Sequence, residues 1–485
     1  MRVVDALVLV GAFVYALAAP HSIAISWVGI SLVVLGWFVR TVATRRLGIQ
    51  RTPMDLPLLL FVAWTVLSSI FSIEPRDSLP KLINVSTFLM FYLMQSILTR
   101  RLAIIFAAVM IASAAAGVVW GAGELILGRG VIVTGLSPDS PLRSSPLTEG
   151  DVVWRVNNRR VSTVDEINDA IRNNCSGCVM GLSVISRGEH VEWIVTLPVQ
   201  QLKNSNASGI TGGGRSHRFR ASGWTRHYET FAEMLQIIAQ FALGLAIVGW
   251  KQRKASPMNA ARVGWRALLA AVGFLIVAAG IPLTAMRSTL AAFAIGAVVV
   301  VWRTAKTKRL RLITVAIVVV ILFAGGLFVW RTREQGALAL QDVSANLRFQ
   351  VATIAARRVL LHPVFGHGMD AMHEHWNEWG FPGRDMLDAH STPIQIAFDR
   401  GLPALFFWAW LMFGFWRFAA RTARASSQAS DPFAHGLSVG ILGAFAGFLI
   451  SSLVNYNFGD SEVALLLWWM MGATVAVGRS VISEK

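Results

Sequence analysis

The chain has 485 residues, 54% of them hydrophobic and only 15% charged, with 18 Trp and a formal net charge of +17. A soluble protein of this length needs more polar surface, so the composition excludes a soluble globular enzyme and points to a polytopic membrane protein. The basic excess is not a nucleic-acid footprint, because it collects in alternate connecting segments: Arg40, Arg45, Arg46 and Arg51; Arg100 and Arg101; Lys251, Arg253, Lys254, Arg262 and Arg266; Arg303, Lys306, Lys308, Arg309 and Arg311; Arg417, Arg421 and Arg424. That alternation is the positive-inside pattern and puts both termini in the cytoplasm.

Apolar stretches able to cross a hydrocarbon core of about 30 Å recur along the chain. They lie near 4–19, 22–39, 55–72, 83–98, 102–127, 232–250, 267–284, 289–302, 312–330, 394–416, 435–454 and 463–478. The expected fold is therefore an all-α membrane body of about twelve helices. The first span has no small-x-small cleavage site followed by a polar domain and reads as retained. Two large segments, 128–231 and 331–393, fall on the side opposite the basic loops.

Residues 130–199 have a different texture. Short strands (131–133, 152–156, 182–185 and 191–196) surround one amphipathic helix, Val164 to Ile171, with Ser162-Thr163 as its N-cap and Asp165 and Glu166 in its first turn. Ser140-Pro141, Leu147, Gly150-Asp151-Val-Val, Val156-Asn157-Asn158-Arg-Arg-Val161 and Ser186-Arg187-Gly188 resemble the spaced motifs of a bacterial PDZ domain, with Ser145-Pro146 where that family has Ala-Gly. The resemblance implies a small α/β domain over 128–199. Gly130, Val131 and Ile132 would then hold a peptide by adding it as a strand. Cys175 and Cys178, the only two cysteines, are close enough in sequence to form a structural disulfide in an oxidising compartment. A metal there would need further ligands, and only His190 is near. The Gly-, Ser-, Asn- and Arg-rich stretch that follows reads as a flexible linker, ending in an interfacial segment around Arg218-Phe-Arg220-Ala-Ser-Gly-Trp224.

Ion-coupled transporters carry ionisable groups near the bilayer midplane. Here Asp5, Glu124, Glu233, Asp399 and Arg400 all sit near span ends, and paired broken helices are not evident. Cations recur instead at the boundary opposite the basic loops: Arg220, Arg287 in the short turn Ala285-Met-Arg287-Ser288, and Arg348. The positive-inside tendency disfavours an arginine in that turn. Guanidinium groups there suit a lipid-attached anion, because they stay charged in apolar surroundings and form bidentate bonds to phosphate.

The segment 331–393 holds His362, His367, His373, His375 and His390, five of the ten histidines. Leu347, Val351, Ile354, Val359 and Leu360 read as one face of an amphipathic helix at the membrane interface. His362-Pro363 ends it, Gly366-His-Gly368 reads as a hinge, and Met372-His-Glu-His375 offers an H-x-H pair. Residues two apart on a helix do not face each other, so a metal there lacks a defined third ligand and none is expected. Asp388-Ala-His390-Ser-Thr-Pro393 then re-enters an apolar run, which sets His390 at the membrane–water boundary.

Leu347-Arg348 through His362-Pro363-Val-Phe-Gly366-His-Gly368, the spacing His390-Ser391-x9-Gly401-Leu402, and Thr284-Ala-Met-Arg287-Ser-Thr-Leu-Ala-Ala together resemble the O-antigen ligase and polymerase superfamily of bacterial polysaccharide assembly. The chain departs from its pattern at Met286, Ser288 and Pro403-Ala404, and in the inserted PDZ-like segment, which unsettles the register of Arg220. The resemblance implies a GT-C-like glycosyltransferase body in the bacterial inner membrane. It implies inverting, cofactor- and metal-free transfer of a glycan from undecaprenyl diphosphate to a glycan, lipid A core or protein acceptor on the periplasmic side. His390 would be the base or orient the acceptor, and Arg287, Arg220 and Arg348 would hold the diphosphate. The expected organisation is helices 1–5 over 1–127, the PDZ-like domain over 128–199, linker and interfacial segment over 200–231, helices 6–9 over 232–330, the catalytic loop over 331–393 and helices 10–12 over 394–485. The competing classes are a lipid-linked glycan transporter and a non-catalytic anchor that recruits partners through the PDZ-like segment.

Overall fold

In a hydrocarbon phase every backbone polar group must be satisfied within the chain, so long apolar runs fold as helices. The computed structural model describes residues 2–305 apart from 174–178, 187–188, 197–205, 218, 226 and 256–259, then 343–383, 387–428 and 431–482, with scattered positions between 307 and 327. Cys175 and Cys178 lie outside the described residues, as does much of the expected span at 312–330. The chain divides into two units, Met1–Gly117 with Glu229–Lys485, and Val118–Tyr228.

The first unit is helical. Helices α1 (Arg2–Ala18) and α2 (Ile23–Thr44) pack on each other, followed by α3 (Asp55–Phe71), α4 (Pro75–Val85), α5 (Leu89–Ile97) and α6 (Arg100–Leu127), whose end passes into the second unit. The chain returns as α8 (Tyr228–Ala255), α9 (Ala260–Leu283) and α10 (Arg287–Thr304). Then come α11 (Val343–Val359), the single turn α12 (Ala371–Glu374), α13 (Thr392–Ser426), α14 (Pro432–Ser452) and α15 (Ser461–Ile482).

Among the described residues eight helices are long and apolar enough to cross a membrane: α2, α6, α8, α9, α10, α13, α14 and α15. The 17-residue helices α1 and α3 are apolar but shorter. The stretch 83–98, expected as one span, is instead broken into α4, a 3-10 turn Ser86–Phe88 and α5, with Pro80 inside α4. Burial separates inner from outer helices. The apolar windows of α8, α14 and α15 are 89%, 83% and 89% buried, whereas those of α2 and α9 are each 28% buried. Outer helices expose Leu35, Phe38, Phe71 and Leu275, an apolar surface suited to lipid rather than water.

The second unit is a six-stranded antiparallel sheet with one helix. Strands β1 (Arg129–Leu136), β2 (Val152–Val156), β3 (Arg159–Arg160), β4 (Val179–Ser186), β5 (Glu189–Thr196) and β6 (Ile210–Ser216) run in the order β5-β4-β2-β1-β6, with β3 on β2. Helix α7 (Val164–Arg172) starts where its N-cap was expected: Glu166 N–H donates to Thr163 Oγ1 at 3.2 Å and Ser162 N–H to Glu166 Oε2 at 2.6 Å, a reciprocal capping box. Its Ile167 and Ile171 join Val131, Val133, Val153 and Val184 in the core.

Two expectations fail here. The presumed linker contains β6, because its glycine run lets the backbone lie against β1 where a side chain would not fit. Gly130, Val131 and Ile132 consequently present no open edge: Val131 pairs with both Val153 and Arg215, and Ile132 with both Val152 and Gly214.

Candidate functional site

The site is assembled around a break in α13. Gly401 takes φ +80°, and a Cβ there would collide with the Val364 carbonyl. Pro403 has no N–H to offer, so the Asp399 carbonyl accepts from Gly368 N–H at 3.0 Å. Beside it the Phe398 carbonyl accepts from His367 N–H at 2.7 Å, and Leu402 N–H donates to Pro363 O at 2.7 Å. Gly366-His-Gly368 is therefore docked on the broken helix and not a hinge, since a Cβ at Gly366 would lie 2.5 Å from Arg400 N. Gly401→Ala should destabilise the protein by more than about 1–3 kcal/mol, the cost of the backbone conformation before the collision is added. A thermal melt against wild type, read together with protease sensitivity of 360–390, checks this.

The break fixes the loop bearing His390. Ala389 is fully buried against α11, Trp376 and Phe381, and its N–H donates to Gln395 Oε1 at 2.7 Å. Gln395 Nε2 in turn donates to Asp399 Oδ1 at 2.8 Å. His390 itself has φ +48°, an uncommon conformation for a side-chain-bearing residue and one found at functional sites. Its N–H donates to Asp388 Oδ1 at 2.7 Å, and its Nδ1 stands 3.5 Å from the same oxygen. Loss of solvent raises the Asp388 carboxyl above its ordinary range, Glu229 adds to the rise, and His390 and Arg348 oppose it. One carboxylate thus feels both the histidine and an arginine singled out in the sequence.

Arg287 opens α10 after a turn through Ala285, whose φ is +54°. A cation at a helix amino end lies at the positive pole of the dipole, and the two together favour an anion in front of them. The next residue, Ser288, accepts from Asn455 Nδ2 at 3.1 Å. Asn455 Nδ2 also reaches Glu233 Oε1 at 3.0 Å, where the Ser451 hydroxyl donates as well. The Asn455 carbonyl accepts from Thr392 N–H at 3.2 Å, and the Thr392 hydroxyl lies 3.1 Å from Asn457 Oδ1. Thr230 in the first turn of α8 donates to Asp460 Oδ2 at 2.5 Å, just ahead of α15, and Arg348 Nη2 donates to Glu229 Oε1 at 2.8 Å. The amino ends of α8, α10, α13 and α15 are thereby knitted together through the segment 455–460, and each adds roughly half a positive charge.

Arg348 and His390 both act on Asp388, and Arg287 is next in the chain to Ser288 of the network, while Arg220 belongs to the other unit. There Arg220 is buried, with its guanidinium 4.1 Å from the centroid of the Tyr228 ring. The remaining loop histidines separate by environment. His367 is 1% exposed, stacks on Phe398 at 4.5 Å and donates from Nε2 to Arg358 O at 3.0 Å; burial pushes its pKa down to about 4. His375 lies between Glu378 Oε2 at 2.6 Å and Glu74 Oε1 at 3.0 Å, and those hydrogen bonds raise its pKa. The second histidine of the H-x-H pair is thus engaged by two carboxylates. His362 is exposed, its ring edge-on to His367.

A cavity of about 180 Å³ adjoins the His390 loop and is walled in part by Leu387 and Gln395. Its polar lining includes Lys81, Asp370, Asp399, Arg400 and Tyr456, beside the rings of Phe61, Phe88, Phe458 and Trp468. Lys81 pairs with Asp370 at 2.7 Å, and burial pushes the Tyr456 hydroxyl up to about 12. Arg400 is 6% exposed, with Nη2 directed to Met369 Sδ at 3.2 Å and no hydrogen-bond acceptor for Nε or Nη1 among the described residues.

Sequence reasoning did not find Asn455, Asn457, Glu229 or a role for Glu233. The polar triplet Asn455-Tyr-Asn457 between two apolar runs was the available signal, but its partners Glu233, Ser288 and Thr392 are more than sixty residues away in the chain. No curated protein matches the chain. Residues 272–409, which hold Arg287, Arg348, His390 and Gly401, match the family model Wzy_C, described as O-Antigen ligase. This stretch is thus similar to an O-antigen ligase domain, which supports the resemblance to the ligase/polymerase superfamily and points, at a general level, to a glycosyltransferase-like enzyme.

Proposed function

We propose that this protein transfers a glycan from undecaprenyl diphosphate to an acceptor hydroxyl, with inversion and without a metal, in the manner of an O-antigen ligase. The observation that carries this reading is the tying together of the amino ends of α8, α10, α13 and α15, with Arg287 opening α10 and with Arg348 and His390 both acting on Asp388. Such a cluster favours a multiply charged anion and can meet the charge that develops on a departing diphosphate. His390, oriented by Asp388, takes the proton of the acceptor hydroxyl. The acceptor oxygen then bonds to the anomeric carbon as the bond to the diphosphate oxygen breaks, and that oxygen keeps the electron pair. We read the body as GT-C-like, with about twelve spans in a bacterial inner membrane. Both termini are then cytoplasmic, and the site and the sheet unit are periplasmic.

The acceptor is assigned to the adjoining cavity. Its two cations face two carboxylates, so it suits a hydroxyl-rich ligand better than a second diphosphate, and its rings can cover the apolar face of a sugar. A saccharide acceptor fits a ligase, whose acceptor is lipid A core, and a polymerase, whose acceptor is a second growing glycan. The test is purified protein given a lipid-diphosphate glycan with each acceptor in turn, with and without EDTA. Transfer to lipid A core that is indifferent to EDTA is expected. Transfer only to a second glycan would make the protein a polymerase. Activity abolished by EDTA would overturn the metal-free mechanism and return attention to His373 and His375.

A further inference from the structure

We propose that a second cleft, at the carboxyl end of α15, binds the phosphate headgroup of an anionic phospholipid. It has a volume of about 670 Å³ and is walled by residues 50–52, 98–100 and several between 475 and 480, together with Phe418 of α13. All of these belong to the first unit. Helix α15 begins at Ser461, beside the Asp460 that Thr230 engages, and its last turns form the cleft. The cleft and the network of helix amino ends are therefore separated by roughly 25 Å along that helix.

The lining carries three arginines, Arg51, Arg100 and Arg479, and among the described residues no carboxylate. The backbone is fixed at each. On either side of Arg51, Gln50 N–H donates to Gln95 Oε1 at 3.1 Å and Thr52 N–H to Asp55 Oδ2 at 2.6 Å. Arg100 opens the 28-residue helix α6, where Leu102 N–H donates to Thr99 Oγ1 at 3.2 Å, and the amino end of that helix turns its positive pole to the cleft. Arg479 stands in the last turn of α15 and offsets the negative pole there. Asp431 Oδ2 lies 3.6 Å from Arg100 Nε, but this carboxylate is also the cap of α14, with Oδ1 accepting from Phe433 N–H and Ala434 N–H.

Basic connecting segments orient a membrane protein wherever their arginines point. Orientation does not require arginines from positions 51, 100 and 479 to share one cleft. Guanidinium groups gathered in this way suit phosphate, whose oxygens accept two bonds from each. The rest of the wall is apolar and includes Leu98, Phe418 and Val475. The volume falls in the range of about 300–1,000 Å³ that encloses a whole small molecule, far more than a free phosphate fills. A ligand with phosphate at one end and hydrocarbon at the other matches both parts of the wall. Basic pockets between membrane helices on the cytoplasmic side take anionic headgroups by the same chemistry. The cleft draws on the basic segments around Arg51, Arg100 and Arg417, so in the orientation proposed above it faces the inner leaflet.

The test uses delipidated full-length protein in neutral detergent, with bound lipid counted by native mass spectrometry as phosphatidylglycerol or phosphatidylcholine is added. Wild type should hold one phosphatidylglycerol at least about tenfold more tightly than phosphatidylcholine. Arg51→Gln combined with Arg479→Gln should bring the two affinities together. Arg46→Gln combined with Arg421→Gln removes the same charge from exposed positions outside the cleft and should leave the preference intact. If the first pair loses its thermal unfolding transition, Arg51→Gln alone takes its place, with an expected loss of about fivefold. Equal losses from the two pairs would mean that the basic surface as a whole attracts lipid, and the proposal fails. It fails equally if wild type shows no preference. Inorganic phosphate is the last arm: if it raises the melting temperature through Arg51 and Arg479 while phosphatidylglycerol does not, the ligand is a soluble phosphate and the lipid assignment is overturned.

Discussion

Replacing His390 with alanine should lower glycan transfer by about 10²–10⁴-fold, the usual contribution of a positioned general base, while donor binding and thermal stability change little. The expectation follows from where the side chain is held. Ala389 is locked by Gln395, the backbone at His390 is left-handed, and Asp388 fixes both its N–H and its Nδ1 side. A histidine that merely capped α13 would behave differently, with lost stability and transfer retained. Asp388→Asn separates these roles further. It preserves the shape of the loop but removes the negative charge facing the ring, so transfer should fall by about 10²-fold, at the lower end of that range, with donor KM unchanged. Transfer assays at saturating donor, paired with melts of both variants, check the pair of expectations. Near wild-type activity in His390→Ala would end the assignment of the base.

Replacing Arg287 with alanine should cost about 10²–10³-fold in transfer, as for removal of one preorganised donor from a developing oxyanion. Arg287→Lys should recover only part of this, because an ammonium keeps the charge but not the two-pronged geometry toward phosphate. The loss of transfer should exceed anything that a change in donor-free stability can account for, which is the mark of a group that acts on the ligand. Measuring kcat and KM for the lipid-diphosphate donor beside apo melting temperature tests it. A stability loss that accounts for the activity loss would reduce Arg287 to a structural residue.

How far the sequence reaches is visible in particular residues. Local chemistry was legible: apolar runs became α2, α6 and α8, the capping residues before Val164 started α7, and the alternating runs after Val131 became β1, β2, β4 and β5. His390 and Arg287 stood out as candidates for the same reason, since a histidine at the re-entry of an apolar helix and an arginine in a disfavoured turn are anomalies in one dimension. Glycine misled in both directions. Gly366 and Gly368 read as a hinge and Gly212–Gly214 as a linker, because composition reports what a backbone is free to do and not what it packs against.

Only the tertiary structure decided which polar groups meet. Asn455 reaches Ser288 and Glu233, and Arg348 reaches Glu229, across separations along which the chain carries no periodic signal. Arg220, equal to the others as a boundary arginine in sequence, falls in a different unit. The sequence by itself determined the long apolar helices and singled out the candidate side chains, because hydropathy and ionisation belong to single residues. The gathering of four helix amino ends around them depends on long-range packing of buried polar partners, and that belongs to the fold alone.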